Sequence, residues 1–450
     1  FIDALLKTGI TVHRATATFS AGGKSFPSGS FVVKTAQAFR AHVLDMFEPQ
    51  DHPDDIPYPG GAPIPPYDSA GWTLAFQMGV KFDRILDGFE GPLERVDRVA
   101  PPAGHVMGPS TVAGYLVSHH QNDAFTAVGR LLQAGEDVFW PQDRSLGNAP
   151  GASGAMWIRA RPQTRTILEK AATDLGLTFT GTASAPSGGS LKLKPVRVAL
   201  WDRYGGSSSS GWTRWLLERY GFRFDVIYAQ SIDSGEFKSR YDVVILTDDA
   251  VLDARDGSQS AVDIPPEYRR ATGSLTTAHS LPQLKQFVEA GGTVITVGHA
   301  TNIAVALGLP ISSALVETRS DGVRPLTPEQ YYVPGSVLRV SVDNTTPLGY
   351  GFERQVDVFF DNSPVFRLGQ PASSVDRVAW FSSATPLRSG WAWGQKHLEN
   401  GVVVVDGNLG RGRVLVFGPE VNFRAQSHAT FKFLFNAIYY ATAEPVSTMK

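Results

Sequence analysis

Short apolar runs alternate with helical patterns over the second half of the chain. Each run is rich in aliphatic and β-branched side chains, which is typical of a strand buried on both faces of a sheet. The runs lie at residues 196–201, 224–228, 243–247 and 293–297. Between them, residues 212–220 and 281–290 have the spacing of helices. Strands that alternate with helices predict a parallel, doubly wound sheet.

We therefore assign residues 196–450 to one α/β domain with a doubly wound, mostly parallel sheet. Further strand patterns predict β-rich additions to this sheet. They lie near residues 337–342, 355–360 and 375–381. The domain is expected to end with strands at residues 401–406 and 412–417 and a helix at residues 427–442.

Smaller units precede this domain. Residues 105–183 show a strand–helix–strand pattern twice, which predicts a small α/β segment. Residues 184–195 begin with a run of Ser, Gly, Ala and Pro, which predicts a linker. Residues 1–104 mix strand and helix patterns with a loop rich in Pro, Gly and Asp, and we expect a mixed β/α segment there. Since this segment begins inside a helical pattern, we expect it to adjoin a domain that lies upstream.

Composition excludes several classes of function. The formal net charge is -2, which does not indicate a nucleic-acid partner, and no apolar run reaches the ~18 residues of a membrane span. The chain has no cysteine, so it has no disulfide, no thiolate metal ligand and no cysteine nucleophile. The nine tryptophans and the many Gly and Pro residues favour an extracytoplasmic bacterial protein. A second copy of the same chain, in a homo-oligomer, is one of the partners considered.

Histidines are the first candidates for chemistry. None of the ten is followed by Glu three residues later, so the chain lacks the commonest zinc-binding pattern. His119 and His120 follow a predicted strand, at the end where α/β proteins gather their sites. The alternative for this pair is a turn before a helix that Asn122 or Asp123 caps.

Two further features are candidates for ligand binding. Gly205 and Gly206 begin a Gly/Ser loop between the first strand of the α/β domain and a helix, where backbone N–H groups could hold an anion. The loop matches neither the dinucleotide fingerprint nor the phosphate loop, and a flexible turn is the alternative. Trp391 and Trp393 would share one face of a predicted strand. They could form a platform for sugars or peptides, or pack in the core.

Several runs resemble the region downstream of the catalytic domain in large bacterial zinc carboxypeptidase-like proteins of the carboxypeptidase A class. These runs lie at residues 32–40, 42–53, 65–68, 71–79 and 418–437. The resemblance implies a secreted or periplasmic protein and a zinc peptidase domain upstream of Phe1. The family's zinc ligands and catalytic glutamate match no position here, so the resemblance implies no metal and no cofactor within this chain.

Residues 196–450 also resemble the class I glutamine amidotransferase fold. Working members place a cysteine at a tight turn after a buried strand and a His-x-Glu pair late in the chain. Here the turn has His299, and the late pair is Gly418 and Glu420. Both the thiolate and the imidazole of that family are missing, so the resemblance implies a degenerate site.

The sequence thus predicts a non-catalytic accessory region of a zinc carboxypeptidase-like protein. Its expected partner is the upstream peptidase domain, and its expected role is to support that domain, substrate access or assembly. Two alternatives stay open. One is an independent module that binds peptide or glycan, and the other is a cryptic metal-dependent hydrolase that uses His119, His120 or His299.

Overall fold

A computed structural model describes residues 1–109, 111–142, 154–254, 264–371 and 374–447. Within these ranges, no helix is long and apolar enough to cross a membrane. The chain folds into three units in sequence order, and strands from distant parts of the chain join the second and third of them.

The first unit, residues 1–104, contains short helices and short strands around two small cores. One core is built on Leu5, Ile10, Val12, Val43 and Met46. The elements are α1 Ile2–Lys7, β1 Val12–Ala15, β2 Phe19–Ala21, β3 Lys24–Phe26, β4 Phe31–Val32, α2 Arg40–Phe47, α3 Leu74–Gln77 and β5 Leu93–Val96. Strand β1 lies between β4 and β5 in a three-stranded antiparallel sheet, and β2 and β3 form a hairpin.

The second unit begins at His105. Its first helix follows a turn at Asn122, and its second helix ends at Gly176, whose φ of 67° suits a residue without a Cβ. The elements are β6 His105–Met107, β7 Gly114–Val117, α4 Asp123–Gln133, β8 Val138–Pro141, β9 Met156–Arg159, α5 Thr164–Leu175, β10 Thr178–Thr182 and β11 Ser190–Lys192.

The third unit carries the strands predicted from the apolar runs. Its first half contains β12 Val198–Trp201, α6 Ser208–Arg219, β13 Phe224–Ile227, α7 Ala229–Asp233, α8 Phe237–Arg240, β14 Val243–Leu246, β15 Leu252–Asp253, β16 Leu275–Thr276, α9 Ser280–Glu289, β17 Thr293–Val297 and α10 Thr301–Ala306. Its second half contains β18 Ile311–Ser313, β19 Val316–Arg319, β20 Gly322–Pro325, β21 Ser336–Val342, β22 Gln355–Phe360, β23 Phe366–Leu368, β24 Val375–Trp380, β25 Leu387–Ser389, β26 Val402–Leu409, β27 Gly412–Phe417, α11 Phe431–Tyr440 and β28 Glu444–Val446.

The main sheet has twelve strands among the described residues, and its central path runs β13-β12-β14-β17-β27-β26-β24-β21-β22. The strands from β13 to β27 are mutually parallel, and those from β26 onward pair antiparallel. The α/β fold class with its β-rich additions is therefore confirmed. The parallel part holds five adjacent strands, and the additions extend the same sheet.

Helices cover both faces of the parallel strands, as a doubly wound sheet requires. Alternate residues of β12 face opposite ways: Leu200 belongs to the core under α6 and α11, and Ala199 to the core under α9 and α10. The same alternation places Ile245 in the first core and Val244 in the second. Because both faces are buried, these strands are apolar throughout, which is why the sequence pattern located them.

The second unit differs from the expected βαβ arrangement. Its seven-stranded sheet has the order β28-β11-β8-β9-β7-β10-β6, and only β10 and β6 pair in parallel among the described strands. The segment 184–195, expected to be a linker, contains β11, which bonds to β8 on one side. The other side of β11 receives β28 from the end of the described chain, so the second and third units share a sheet.

Residues 48–81 of the first unit pack against the third unit. The buried Ser389 hydroxyl accepts a hydrogen bond from the backbone N–H of Gln50 at 2.9 Å and shares another with the Thr73 hydroxyl at 2.8 Å. The backbones also touch, since a Cβ on Gly71 would lie 2.2 Å from the Cα of Gly390. The first unit therefore packs directly against the third unit.

Candidate functional site

The candidate site lies where the parallel strands end. Asp248 follows β14, His299 follows β17 and Glu420 follows β27. Because these three strands are adjacent and parallel, their carboxyl ends meet at one edge of the sheet. Open α/β sheets bind ligands at this edge.

A pair formed by Asp248 and His299 lies at the centre of the site. One carboxylate oxygen of Asp248 accepts hydrogen bonds from both the backbone N–H of His299 at 2.7 Å and its ring Nδ1 at 2.9 Å. The residue between strand and histidine is Gly298, at φ 62°. A Cβ there would lie 2.0 Å from the same Asp248 oxygen, so only glycine lets the carboxylate reach the turn.

Glu420 approaches the pair from the neighbouring strand. Its Oε2 accepts a hydrogen bond of 2.9 Å from the hydroxyl of Ser209, in the first turn of α6. Helix α6 starts there because the Ser207 side chain accepts a hydrogen bond from the backbone N–H of Ser210. The start of helix α6 and the loop after β27 are thus joined at the sheet edge.

A small cleft of about 60 Å³ opens between these groups. Phe359 forms an apolar wall, held by stacking on Phe423 at 3.6 Å between ring centroids. The cleft is lined by Asp248, His299, Phe359, Asp361, Ser363 and Glu420. It is therefore a mainly acidic cleft with one imidazole and one aromatic wall.

The protonation of the cleft follows from burial and from the neighbouring charges. Burial, reinforced by the negative charge of Asp248, raises the pKa of Glu420 from 4.5 to about 7. The hydrogen bond with Asp248 raises the pKa of His299, against the opposing effect of burial. For Asp248, burial acts to raise the pKa, but the hydrogen bonds from His299 lower it by more. The site therefore holds an anion at Asp248, a carboxyl at Glu420 with a pKa of about 7, and an imidazole at His299 whose pKa is raised.

Gly418 shows why the late pair of the amidotransferase pattern is incomplete. A Cβ at this residue would lie 2.1 Å from the carbonyl oxygen of Pro364. The backbone after β22 thus occupies the space that a histidine would need. The elbow position keeps an imidazole at His299, but no thiol or second imidazole lines the cleft among the described residues.

The first unit also reaches the rim of the site. Asp68 forms a two-bond ion pair with Arg424, with both N–O distances at 3.0 Å. Arg424 has φ 44°, which is uncommon for a residue with a side chain. The hydrogen bond to Asp68 raises the pKa of Arg424, and the charges of Glu420 and Asp361 add to this effect. The ion pair with Asp68 therefore fixes the position of this arginine.

Gly205 and Gly206 lie beside the site rather than in it. Both have positive φ, 84° and 78°, and a Cβ at either would meet open space. Their function in the structure is to turn the chain into α6, since Ser207 caps the helix immediately afterwards. They remain close to a sheet edge where ligands bind, but they do not line the cleft.

His119 and His120 lie away from this edge. His119 is fully buried against the rings of Phe125 and Trp140, and burial holds its pKa well below 6.5. Burial and the nearby charge of Lys432 lower the pKa of His120 as well. Within the described residues, neither histidine belongs to a group of three or more side chains placed to hold a metal ion.

The platform considered for Trp391 and Trp393 is wrong, because both rings are packed against other parts of the chain. Trp391 is 2% exposed, stacks on His52 and donates its ring N–H to Asp54 at 2.7 Å. Trp393 lies beyond β25, outside a regular strand, and donates to the backbone carbonyl of Glu329 at 2.8 Å. The first unit covers Trp391, so the two rings cannot present one open surface.

Sequence reasoning named His299 and Glu420 but missed their partners. Asp248 is the second residue after a buried strand, and polar residues at the end of such a strand are the expected signal for a site. Asp361, by contrast, follows an antiparallel strand about 60 residues from His299, and no local pattern connects the two.

Comparison with known proteins gives only distant likeness. No protein-family model matches the chain, and no curated protein matches it significantly. A protein from Bacteroides uniformis described as ThuA-like is 11% identical, with 57% of this chain and 93% of that chain covered and a TM-score of 0.33. A protein from Thermoplasma acidophilum described as a GMP synthase component is 11% identical, with 54% and 95% covered and a TM-score of 0.32. A glutamine amidotransferase from Thermotoga maritima is 12% identical, with 50% and 75% covered and a TM-score of 0.27.

These likenesses concern folds of the class I glutamine amidotransferase type. At such TM-scores they carry no argument about activity. None of the three proteins is described as a carboxypeptidase. The chemistry of the site is therefore inferred from its geometry.

We predict that Glu420→Gln changes stability in a pH-dependent way. The carboxyl binds its proton with a pKa of about 7 in the folded chain and 4.5 otherwise, so the native chain loses stability as pH rises through that window. The amide of the variant can still accept the hydrogen bond from Ser209, and it has no proton to lose as pH rises. The variant should match the native chain below pH 4.5 and exceed it above pH 7, by roughly 3 kcal/mol at most.

Urea unfolding at several pH values measures this difference. Glu353→Gln is a control that should change stability in the opposite direction. The hydrogen bond from Lys81 lowers the pKa of Glu353, so the Glu353 anion stabilises the fold above pH 4.5 and the variant should be less stable than the native chain there. A Glu420→Gln difference that stays constant from pH 4 to pH 8 would contradict the assigned environment of Glu420.

Proposed function

We propose that this chain is an accessory region of a larger extracytoplasmic bacterial protein, and that it does not hydrolyse glutamine. The observation that supports the second part most directly is His299 at the elbow, paired with Asp248 in place of a thiol nucleophile. Glutamine hydrolysis of the class I type needs a thiolate that attacks the amide carbon. A chain without cysteine cannot supply one.

The accessory role is supported by the exposed surface of the first unit. Several large apolar side chains there are open to solvent, although the unit has only small cores of its own. They include Phe31, Phe39, Tyr58, Ile64, Tyr67 and Leu86. Strand β4, which carries Phe31, is an edge strand of its three-stranded sheet. Apolar groups and a free strand edge are what a docked partner domain would cover.

The sequence resemblance supplies the proposed partner. Runs at residues 32–53 and 65–79, within the first unit, resemble the region that follows the catalytic domain of zinc carboxypeptidase-like proteins. We therefore propose that the first unit docks on a zinc peptidase domain and supports its fold or substrate access. Zinc would belong to that domain, and this chain would contribute no ligand to it.

The claim that this chain does not hydrolyse glutamine is tested by introducing the cysteine and the histidine of the amidotransferase pattern. We predict that His299→Cys combined with Gly418→His gives no glutaminase activity above the native chain. The histidine at residue 418 would collide with the carbonyl of Pro364, so the double variant should also unfold at lower urea concentration. Because the side chain of His299 is exposed, the single variant His299→Cys should fold normally. Glutaminase activity in the double variant would refute the degenerate site.

The accessory part is tested on the native protein. Intact mass and peptide mapping of material from the source organism should reveal a longer chain with a zinc peptidase domain before Phe1. That domain, produced separately, should bind this chain in calorimetry, and Leu86→Asp should weaken binding at least tenfold. Val323→Asp is the matched control, since Val323 is similarly exposed but lies on the β19–β20 hairpin. Equal weakening by both variants, or no peptidase domain, would refute the proposal.

A further inference from the structure

The cleft beside His299 has the parts of an acid–base site. Asp248 forms a hydrogen bond with Nδ1 of His299 and fixes the ring, so Nε2 is the nitrogen available to a bound molecule. Glu420 lines the same cleft, and its carboxyl is anchored by the hydrogen bond from Ser209. One group can accept a proton while the other donates one, and both face the same 60 Å³ space.

The size of the cleft limits what can enter it. A volume of about 60 Å³ admits a few non-hydrogen atoms, such as a short acyl group with a water molecule. Larger parts of a substrate would have to remain outside the sheet edge. Phe359 offers an apolar wall against which a methyl group could pack.

The charge of the cleft limits the substrate further. Asp248 and Asp361 are carboxylates within the lining, and Glu420 adds a third acid. A negatively charged acyl group would be repelled by these side chains, whereas a neutral acyl group would not. The lining thus selects against anions.

We propose that this cleft is an acid–base site that hydrolyses small neutral acyl esters, such as acetyl esters of alcohols. His299 is the base and Glu420 the acid, both as catalytic residues. Asp248 is a positioning residue that acts through His299. The proposal does not depend on the accessory role, and it replaces the expectation that the chain is wholly non-catalytic.

The reaction balances without any further reactant. Nε2 of His299 takes a proton from water as the water oxygen bonds to the acyl carbon. The bond from that carbon to the alcohol oxygen then breaks, and the Glu420 carboxyl donates its proton to the departing oxygen. The products are a carboxylic acid and an alcohol. His299 is left protonated and Glu420 ionised. His299 then releases a proton to solvent and Glu420 takes one up, which restores both groups.

The test uses two esters that differ in their need for an acid. Ethyl acetate has a poor leaving group and requires proton donation, whereas 4-nitrophenyl acetate leaves as a stable phenolate without it. His299→Gln should lose about 100-fold in kcat/KM on both esters, which is the usual contribution of a positioned acid or base. Glu420→Gln should lose about 100-fold on ethyl acetate and less than threefold on 4-nitrophenyl acetate.

Controls separate this chemistry from folding and from chance reactivity. His105→Gln alters an exposed histidine on edge strand β6 and should change neither rate. Asp248→Asn should lower the rates on both esters. It should also shift the acidic limb of the pH profile for 4-nitrophenyl acetate to lower pH, because the hydrogen bond with Asp248 that raises the pKa of His299 is weakened. Urea midpoints should show that each variant is folded.

The outcomes decide the proposal. Loss on both esters with His299→Gln, together with ester-dependent loss with Glu420→Gln, would support it. It is overturned if the native chain does not exceed the rate in buffer, if His299→Gln and His105→Gln behave alike, or if Glu420→Gln affects both esters equally.

Discussion

The site depends on one carboxylate oxygen. Asp248 accepts hydrogen bonds from the backbone and the ring of the same residue, His299, and this fixes both the turn after β17 and the direction of the imidazole. The arrangement requires β14 and β17 to be adjacent and parallel, and it requires Gly298 between strand and histidine. The pair also affects Glu420, because the negative charge of Asp248 adds to the effect of burial and raises the pKa of Glu420.

The departure from the amidotransferase pattern has a structural reason at each position. The elbow is retained, but its side chain pairs with an acid on the neighbouring strand instead of presenting a thiol. Gly418 is closely packed by the Pro364 carbonyl, so the backbone that follows β22 leaves no room for a side chain at this position. The antiparallel additions therefore do more than extend the sheet, since they also supply Phe359 and Asp361 to the cleft.

Part of this could be predicted from the sequence. The parallel strands were located because strands buried on both faces are apolar throughout. His299 and Glu420 were named because they occupy the elbow and the late pair of the amidotransferase pattern, which implied a degenerate site. The sheet of the second unit was not predicted, because its pairing of β11 with β28 joins residues about 250 apart. The buried position of Trp391 was missed for a similar reason, since the residues that cover it, His52 and Asp54, lie in another unit.

The most direct test of this account is a titration of His299 by NMR, with labelled histidine in the native chain and in Asp248→Asn. The account predicts a pKa above 6.5 for His299 in the native chain, because its ring nitrogen bonds to a carboxylate, and a clear fall in the variant. A pKa at or below 6.5 that does not respond to the substitution would contradict the pairing on which the site depends.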